Sequence, residues 1–174
     1  MASASHRRIR VLHVDDESAF TQLTRTFLER EDEAITVETA TSADDSLGSI
    51  ADHPPDCVVS DYNMAGMDGI EFLRAVREDH PDLPFILFTG KGSEEVASDA
   101  ISAGATDYLQ KQAGTEQYGL LANRIRNAVT QYRSEKRLQK TRTEYSAVFE
   151  NAQNGLLLVD VNGAAFRYRR GKPP

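Results

Sequence analysis

The hydrophobic pattern of this chain changes period repeatedly. IRVLHV (Ile9–Val14) is a short β-rich run, and the residues after it place Phe20, Leu23, Phe27 and Leu28 on one face of a helix. ITVETA (Ile35–Ala40) predicts a second strand. Ser42 is placed to cap the helix that follows, with Asp44 and Asp45 in its first turn, where the helix dipole favours acidic side chains. CVVSD predicts a third strand ending on Asp61, then a helix carrying Ile70, Leu73 and Val76 that HPDLP breaks. FILFT (Phe85–Thr89) predicts the fourth strand. Ser93 is placed to cap a short helix with Glu94 and Glu95 in its first turn, and Gly104 to end it. TDYLQK predicts the fifth strand, and a long helix starts near Glu116.

The first, third and fourth strands are almost continuously apolar, as strands of a parallel sheet covered on both faces should be. Repeated strand–helix units with short, right-handed connections give an α/β fold: a doubly wound, five-stranded parallel sheet with a C-terminal helical extension. Such sheets bind ligands at the carboxyl ends of their strands.

From about Gln131 the chain becomes highly polar. Leu121, Ile125, Ala128 and Tyr132 keep a 4-3-4 spacing, but Glu135, Gln139 and Arg142 then fall on the seam. That predicts a solvated helical linker over 131–147 rather than a strong coiled coil. GLLLVDVNGAAFRY reads as strand, turn, strand, with Asn162–Gly163 giving a type I′ turn signal. Two strands alone are marginal in water, so 148–166 reads as the opening of a second domain that is not completed. The basic, proline-ended segment 167–174 reads as a disordered tail.

Bulk properties narrow the function. A length of 174 residues suits one ordinary domain with some additional chain. The net charge of −7 argues against sequence-independent DNA binding, which needs a basic surface. Cys57 is the sole cysteine, so no internal disulfide forms; its apolar surroundings predict a buried thiol and a reducing compartment. No apolar run approaches the roughly 18 residues of a membrane helix, and MASASHRRIR lacks the apolar core of a signal peptide. A cytoplasmic protein without a membrane or direct nucleic-acid partner is expected.

The chemistry-bearing residues sit at strand ends. Asp15 and Asp16 follow the first strand, Asp61 ends the third, Thr89 the fourth and Lys111 the fifth. Each alone has an ordinary explanation: helix capping for the Asp pair, a solvated strand end for Asp61, a turn for Thr89–Gly90, a surface cation for Lys111. Together they converge on one crevice. Three clustered carboxylates repel unless a cation joins them, and Mg²⁺ suits such oxygen ligands. A carboxylate beside that ion can act as a nucleophile toward phosphorus, with Lys111 and Thr89 meeting the phosphoryl oxygens.

On these residues the segment 7–130 resembles a response-regulator receiver domain. The matching pieces are VDD with Asp15 and Asp16, SDYNMAGMDG with Asp61, FTG with Thr89, and DYLQK with Tyr108 and Lys111. The resemblance implies a flavodoxin-like strand order 2-1-3-4-5 and phosphorylation of Asp61 by a partner histidine kinase, in a chain that is a regulatory phosphoacceptor rather than an enzyme. It implies Mg²⁺ held by Asp16 and Asp61 directly, by Asp15 largely through water, and by the backbone carbonyl of Asn63. Thr89 and Tyr108 correspond to the family's switch pair, and Asn63 and Lys91 to the positions that tune dephosphorylation. The surface of the fourth helix, fifth strand and fifth helix would then signal to an effector or output domain, and it allows a homodimer. Gly90 leaves space beside Thr89 for a phosphodonor. One residue departs: the family usually has proline where this chain has Ala65. The segment YSAVFENAQNGLLLVDVNGAAF is similar to the start of a PAS sensor domain. Two other classes stay open: a phosphorylation-independent interaction module, and an aspartyl-phosphate phosphohydrolase. The second usually carries another Asp two positions after its first-strand nucleophile, where this chain has Glu17. A DNA-binding regulator is disfavoured, since no basic recognition helix follows.

Overall fold

The computed structural model describes residues 8–90, 92, 94–153, 156–159 and 165–168, with backbone only from 147 onward. Strands and helices alternate as β1 (Ile9–Val14), α1 (Ser18–Glu31), β2 (Ile35–Ala40), α2 (Ala43–Asp52), β3 (Cys57–Ser60), α3 (Gly69–Asp79), β4 (Phe85–Thr89), α4 (Glu94–Ser102), β5 (Asp107–Gln110) and α5 (Glu116–Gln153). β6 (Leu156–Val159) and β7 (Ala165–Tyr168) follow. The chain divides into two compact units, Met1–Tyr132 and Arg133–Pro174.

In the first unit all pairings are parallel, and the sheet order is β2-β1-β3-β4-β5, as expected. The central strands β3 and β4 are buried along their whole length, whereas β2 at the edge alternates buried and exposed. That difference follows from having a neighbour on one side only and helices over the inner strands. Two apolar layers result. Val11, Val59, Phe88, Leu121 and Ile125 belong to one, with the ring of Tyr118 stacked 4.9 Å from Phe27. Leu12, Val58, Leu87, Phe72 and Leu73 belong to the other. Cys57 is fully buried, and desolvation pushes its thiol pKa far up, so it packs as a small apolar residue.

Local signals explain the helix ends. The Ser42 side chain accepts from Asp45 N–H, as predicted. Asp68 caps α3 through a full capping box with Glu71. Gly104 takes a φ of +93° just beyond α4, as a helix-ending glycine does. Arg77 donates to the carbonyls of His80, Leu83 and Gly104, tying the end of α3 to the turn before β5. Arg126 on α5 pairs with Asp32 at 2.7 Å, holding α5 to the turn after α1. The predicted Ser93 cap and the Asn162–Gly163 turn lie outside the described residues.

Several expectations are corrected. Leu23 is 46% exposed; Leu28 is buried as expected and Phe20 and Phe27 pack partly on the core, but Thr21 and Thr24 complete the buried face of α1. The apolar helix template counted Leu23 as inward, but the two threonines present small side chains to the closely packed sheet. On α5 the buried stripe runs through Leu121, Ala122, Ile125 and Val129, rather than through Ala128 and Tyr132. Spacings of four and three drift around a real helix, and the buried face followed the sheet. Asp61 stands one residue beyond β3.

In the second unit, α5 extends to Gln153, past the linker end expected at 147, because no Gly or Pro interrupts 120–153. Glu135, Gln139 and Arg142 are exposed there, as are Leu138 and Tyr145. β6 and β7 pair antiparallel, with Leu156 opposite Tyr168 and Val159 opposite Ala165. Arg167 and Tyr168, expected to begin a disordered tail, therefore belong to a strand; 169–174 lie outside the described residues. No described helix is long and apolar enough to cross a membrane.

The corrected α1 face gives a direct test. Leu28→Ala is expected to cost about 2–5 kcal/mol, as buried leucine truncations do, and Leu23→Ala less than about 0.5 kcal/mol. Urea denaturation of the two variants checks the contrast.

Candidate functional site

The parallel register brings the strand ends to one edge. Val14 is level with Ser60, and Ser60 with Leu87. Tyr108 pairs with Leu87 and Gln110 with Thr89. One residue further along, Asp61 N–H donates to the Val14 carbonyl at 2.9 Å, and Lys111 N–H to the Thr89 carbonyl at 2.8 Å. Asp15, Asp61, Thr89 and Lys111 are thus delivered by ladder geometry, not by flexible loops.

Lys111 joins them. Its ammonium lies 2.6 Å from Asp15 Oδ2 and 3.1 Å from Asp61 Oδ1. Asp15 is 1% exposed and Asp61 7%, so both carboxylates face a largely desolvated cation. The ammonium also sits 4.1 Å from the centre of the Phe20 ring, whose π-face favours a cation. The other carboxylate oxygens are held by backbone: Asp15 Oδ1 accepts from Glu17 N–H, and Asp61 Oδ2 from Asn63 N–H at 3.0 Å. Glu17, at the start of α1, makes no side-chain cap, so the acidic pair does not serve as a conventional helix cap. Asp16 is exposed, and its Oδ2 accepts from Ala65 N–H at 3.3 Å.

The expected cluster of three carboxylates is therefore modified. Among the described residues, no three His, Cys, Asp or Glu side chains stand together as a ready metal cage. Asp15 is turned onto Lys111, and Asp16 onto the loop after β3. Two carboxylates against one ammonium still leave a negative charge uncompensated. Asp61 Oδ1 is buried and makes no hydrogen bond, its contact with Lys111 being an ion pair without hydrogen-bond alignment. A buried oxygen in that state, beside an exposed second carboxylate, fits a hard cation such as Mg²⁺ that keeps most of its water.

Thr89 is buried at the end of β4. Among the described residues, a side chain on Gly90 would meet nothing nearer than Lys111 Cδ at 4.0 Å. Tyr108 is half-buried against the second apolar layer, and burial pushes its phenol pKa up. Asn63 contributes its backbone N–H to Asp61 and is itself exposed. Lys91 lies outside the described residues.

The response regulator receiver domain model matches residues 11–126. The chain belongs to this family. It is 33% identical over 116 residues to the nitrogen assimilation regulatory protein NtrX of Azorhizobium caulinodans, covering 66% of this chain and 25% of that protein. It is 36% identical over 124 residues to a protein-glutamate methylesterase/protein-glutamine glutaminase of Nocardioides, covering 70% of this chain and 34% of that one. A receiver domain from Clostridium thermocellum superposes with a TM-score of 0.64 at 28% identity, covering 72% of this chain and 97% of that one. The beryllofluoride-activated NtrC4 receiver domain dimer gives 0.62 at 33% identity, covering 71% and 98%. The chain spans a quarter to about two thirds of the first curated relatives' lengths.

Three residues of this receiver site escaped sequence reasoning. Phe20 is placed by its spacing on the apolar face of α1, yet its ring faces the Lys111 ammonium. Gly69 allows α3 to start against Asp61, since any side chain there would collide with the Asp61 carbonyl oxygen. His13 is fully buried, its ring 6.1 Å from Phe20, and neither ring nitrogen has a hydrogen-bond partner. The signal was visible: a histidine inside an apolar strand, two residues before Asp15.

Burial, reinforced by Lys111 and opposed by Asp61, lowers the His13 pKa from 6.5 to about 3. As pH falls below 6.5, the unfolded chain takes up a proton at this position and the folded chain does not. The stability associated with neutral His13 is thus complete above pH 6.5 and lost as pH falls toward 3, at up to about 1.4 kcal/mol per pH unit. Urea titrations between pH 6.5 and about pH 4.5 should show a shallower decline for His13→Leu than for the natural protein.

Proposed function

We propose that this receiver domain accepts a phosphoryl group on Asp61 from a partner histidine kinase and thereby switches the surface made by α4, β5 and α5. The observation that supports this most is the Lys111 ammonium, held between Asp15 and Asp61 at the strand ends. In the transfer, an Asp61 carboxylate oxygen attacks phosphorus, the bond to the donor's histidine nitrogen breaks, and that nitrogen leaves with the electron pair. Lys111 meets the added negative charge as a compact cation, and the Thr89 hydroxyl donates to a phosphoryl oxygen. Mg²⁺, when bound, supplies further charge neutralisation, with Asp16, Asp61 and the Asn63 carbonyl as its protein ligands and Asp15 acting largely through water. Tyr108 moves with Thr89 as the switch, and Asn63 and Lys91 set the lifetime of the phosphorylated state. The chain works as a phosphoacceptor and not as an enzyme with its own substrate.

The proposed organisation is a receiver over 7–130, a helical linker formed by the rest of α5 to Gln153, and a PAS-like segment that includes β6 and β7. The partners are a histidine kinase and a downstream effector or output domain, within the cytoplasm. Dimerisation is supported by the likeness to the NtrC4 receiver dimer, and α4, β5 and α5 form the face proposed for it.

Acetyl phosphate with Mg²⁺, followed by intact mass, tests the reading. The expected result is a single phosphoryl adduct that requires Mg²⁺ and disappears in Asp61→Asn. No adduct with acetyl phosphate or a kinase would instead support a phosphorylation-independent interaction module. Phosphate on Asp15 with multiple turnover would support a phosphohydrolase.

A further inference from the structure

The loop between β3 and α3 is held by its backbone at its C-terminal end and at its middle. At its C-terminal end, Gly69 N–H donates to the Tyr62 carbonyl at 2.9 Å, and Gly69 packs directly on the Asp61 carbonyl. At its middle, Ala65 N–H donates to Asp16 Oδ2 at 3.3 Å, across 49 residues of sequence. Gly66 follows at a φ of +84°, a left-handed turn that favours glycine. Met64 and Met67 on either side pack partly into the core beneath. The Ala65 amide is thus carried on an anchored turn rather than on a free loop tip. It meets the most exposed of the three site carboxylates, the one that neither Lys111 nor the strand ladder restrains.

We propose that the Ala65 backbone N–H is a positioning donor for Asp16. It holds the carboxylate by Oδ2 and leaves Oδ1 available to the cation, so that loop and cation site are coupled. This rests on the Mg²⁺ reading of the site. A carboxylate ligand fixed by a hydrogen bond on its second oxygen loses less freedom when the ion arrives, and losing such an outer partner commonly costs about 10–100-fold in metal affinity. The donor is a main-chain group, so only proline at this position deletes it. By reciprocity, cation binding should protect the Ala65 amide from exchange.

The test uses the full chain with Mn²⁺ as probe, read by electron paramagnetic resonance of the free ion and by Mg²⁺ competition. Asp16→Ala should lose most of the binding. Ala65→Pro should weaken it by about tenfold or more, and Ala65→Gly, which keeps the N–H, should restore it to within about threefold of the natural protein. Equal affinities for the Pro and Gly variants, with Asp16→Ala still defective, would overturn the coupling while leaving the cation reading intact. Natural affinity in Asp16→Ala would overturn both. If the proline variant does not fold, amide exchange at Ala65 in metal-free protein decides. Asp16→Ala should speed it and Asp16→Asn, which retains an acceptor, should not; identical rates in the natural protein and Asp16→Ala would sink the proposal.

Discussion

One ammonium, that of Lys111, makes the rest of the site tenable. Asp15 and Asp61 are almost fully buried, and an isolated buried carboxylate is costly in a low-dielectric interior. Lys111 offsets that cost for both at once, and the Phe20 ring beneath it adds a favourable cation–π contact in place of water. Breaking a buried pair by removing one partner typically costs about 3–5 kcal/mol, because the other charge is left uncompensated. Here loss of the lysine would leave two like charges facing each other. The parallel sheet is what allows the arrangement: β1, β3 and β5 are in register, so residues just past their ends meet without long loops.

The same ammonium links chemistry to conformation. Asp15 and Asp61 already compete for it, at 2.6 and 3.1 Å. In the proposed function, a phosphoryl group on Asp61 adds negative charge and shifts that competition. Lys111 N–H is bonded to the Thr89 carbonyl, so movement at the end of β5 is felt at the end of β4. Tyr108 lies on β5 opposite Leu87, partly buried against the second apolar layer. A covalent group can bias two states only through contacts that differ between them. In the proposed function, Lys111, Thr89 and Tyr108 would supply such contacts along one strand pair.

How much of this was legible follows from what each signal measures. Apolar runs located β1, β3 and β4 closely because a buried parallel strand has no polar face to blur its limits, and β2 and β5 were found between the helices that flank them. The meeting of Asp15, Asp61, Thr89 and Lys111 at one edge was legible because the strand ends name them in chain order. Leu23 and Ala128 failed because periodicity gives a face but not which rows of that face meet the sheet; small residues such as Thr24 can occupy the closest approach. His13 was hidden for the opposite reason. A polar residue in an apolar strand reads as noise until the fold shows it beside Lys111 and Phe20, where its neutral form is enforced. Gly69 carried no pattern at all, since what it provides is the absence of a side chain against Asp61.

Ala65 joins these threads. By its residue type it looked like a loss of rigidity, since proline would pre-set the backbone there. The structure gives the loop other restraints: a capping box at Asp68 and Glu71, a backbone bond from Gly69 to Tyr62, and two partly buried methionines. With the path already constrained, a proline ring would add little order, whereas the amide it would remove reaches Asp16. The departure from the family pattern therefore exchanges a local restraint on one dihedral for a bond between β1's end and the loop after β3. The two segments it joins are the ones that carry the carboxylates, so under the proposed cation reading the exchange would place loop geometry and cation binding under a shared constraint.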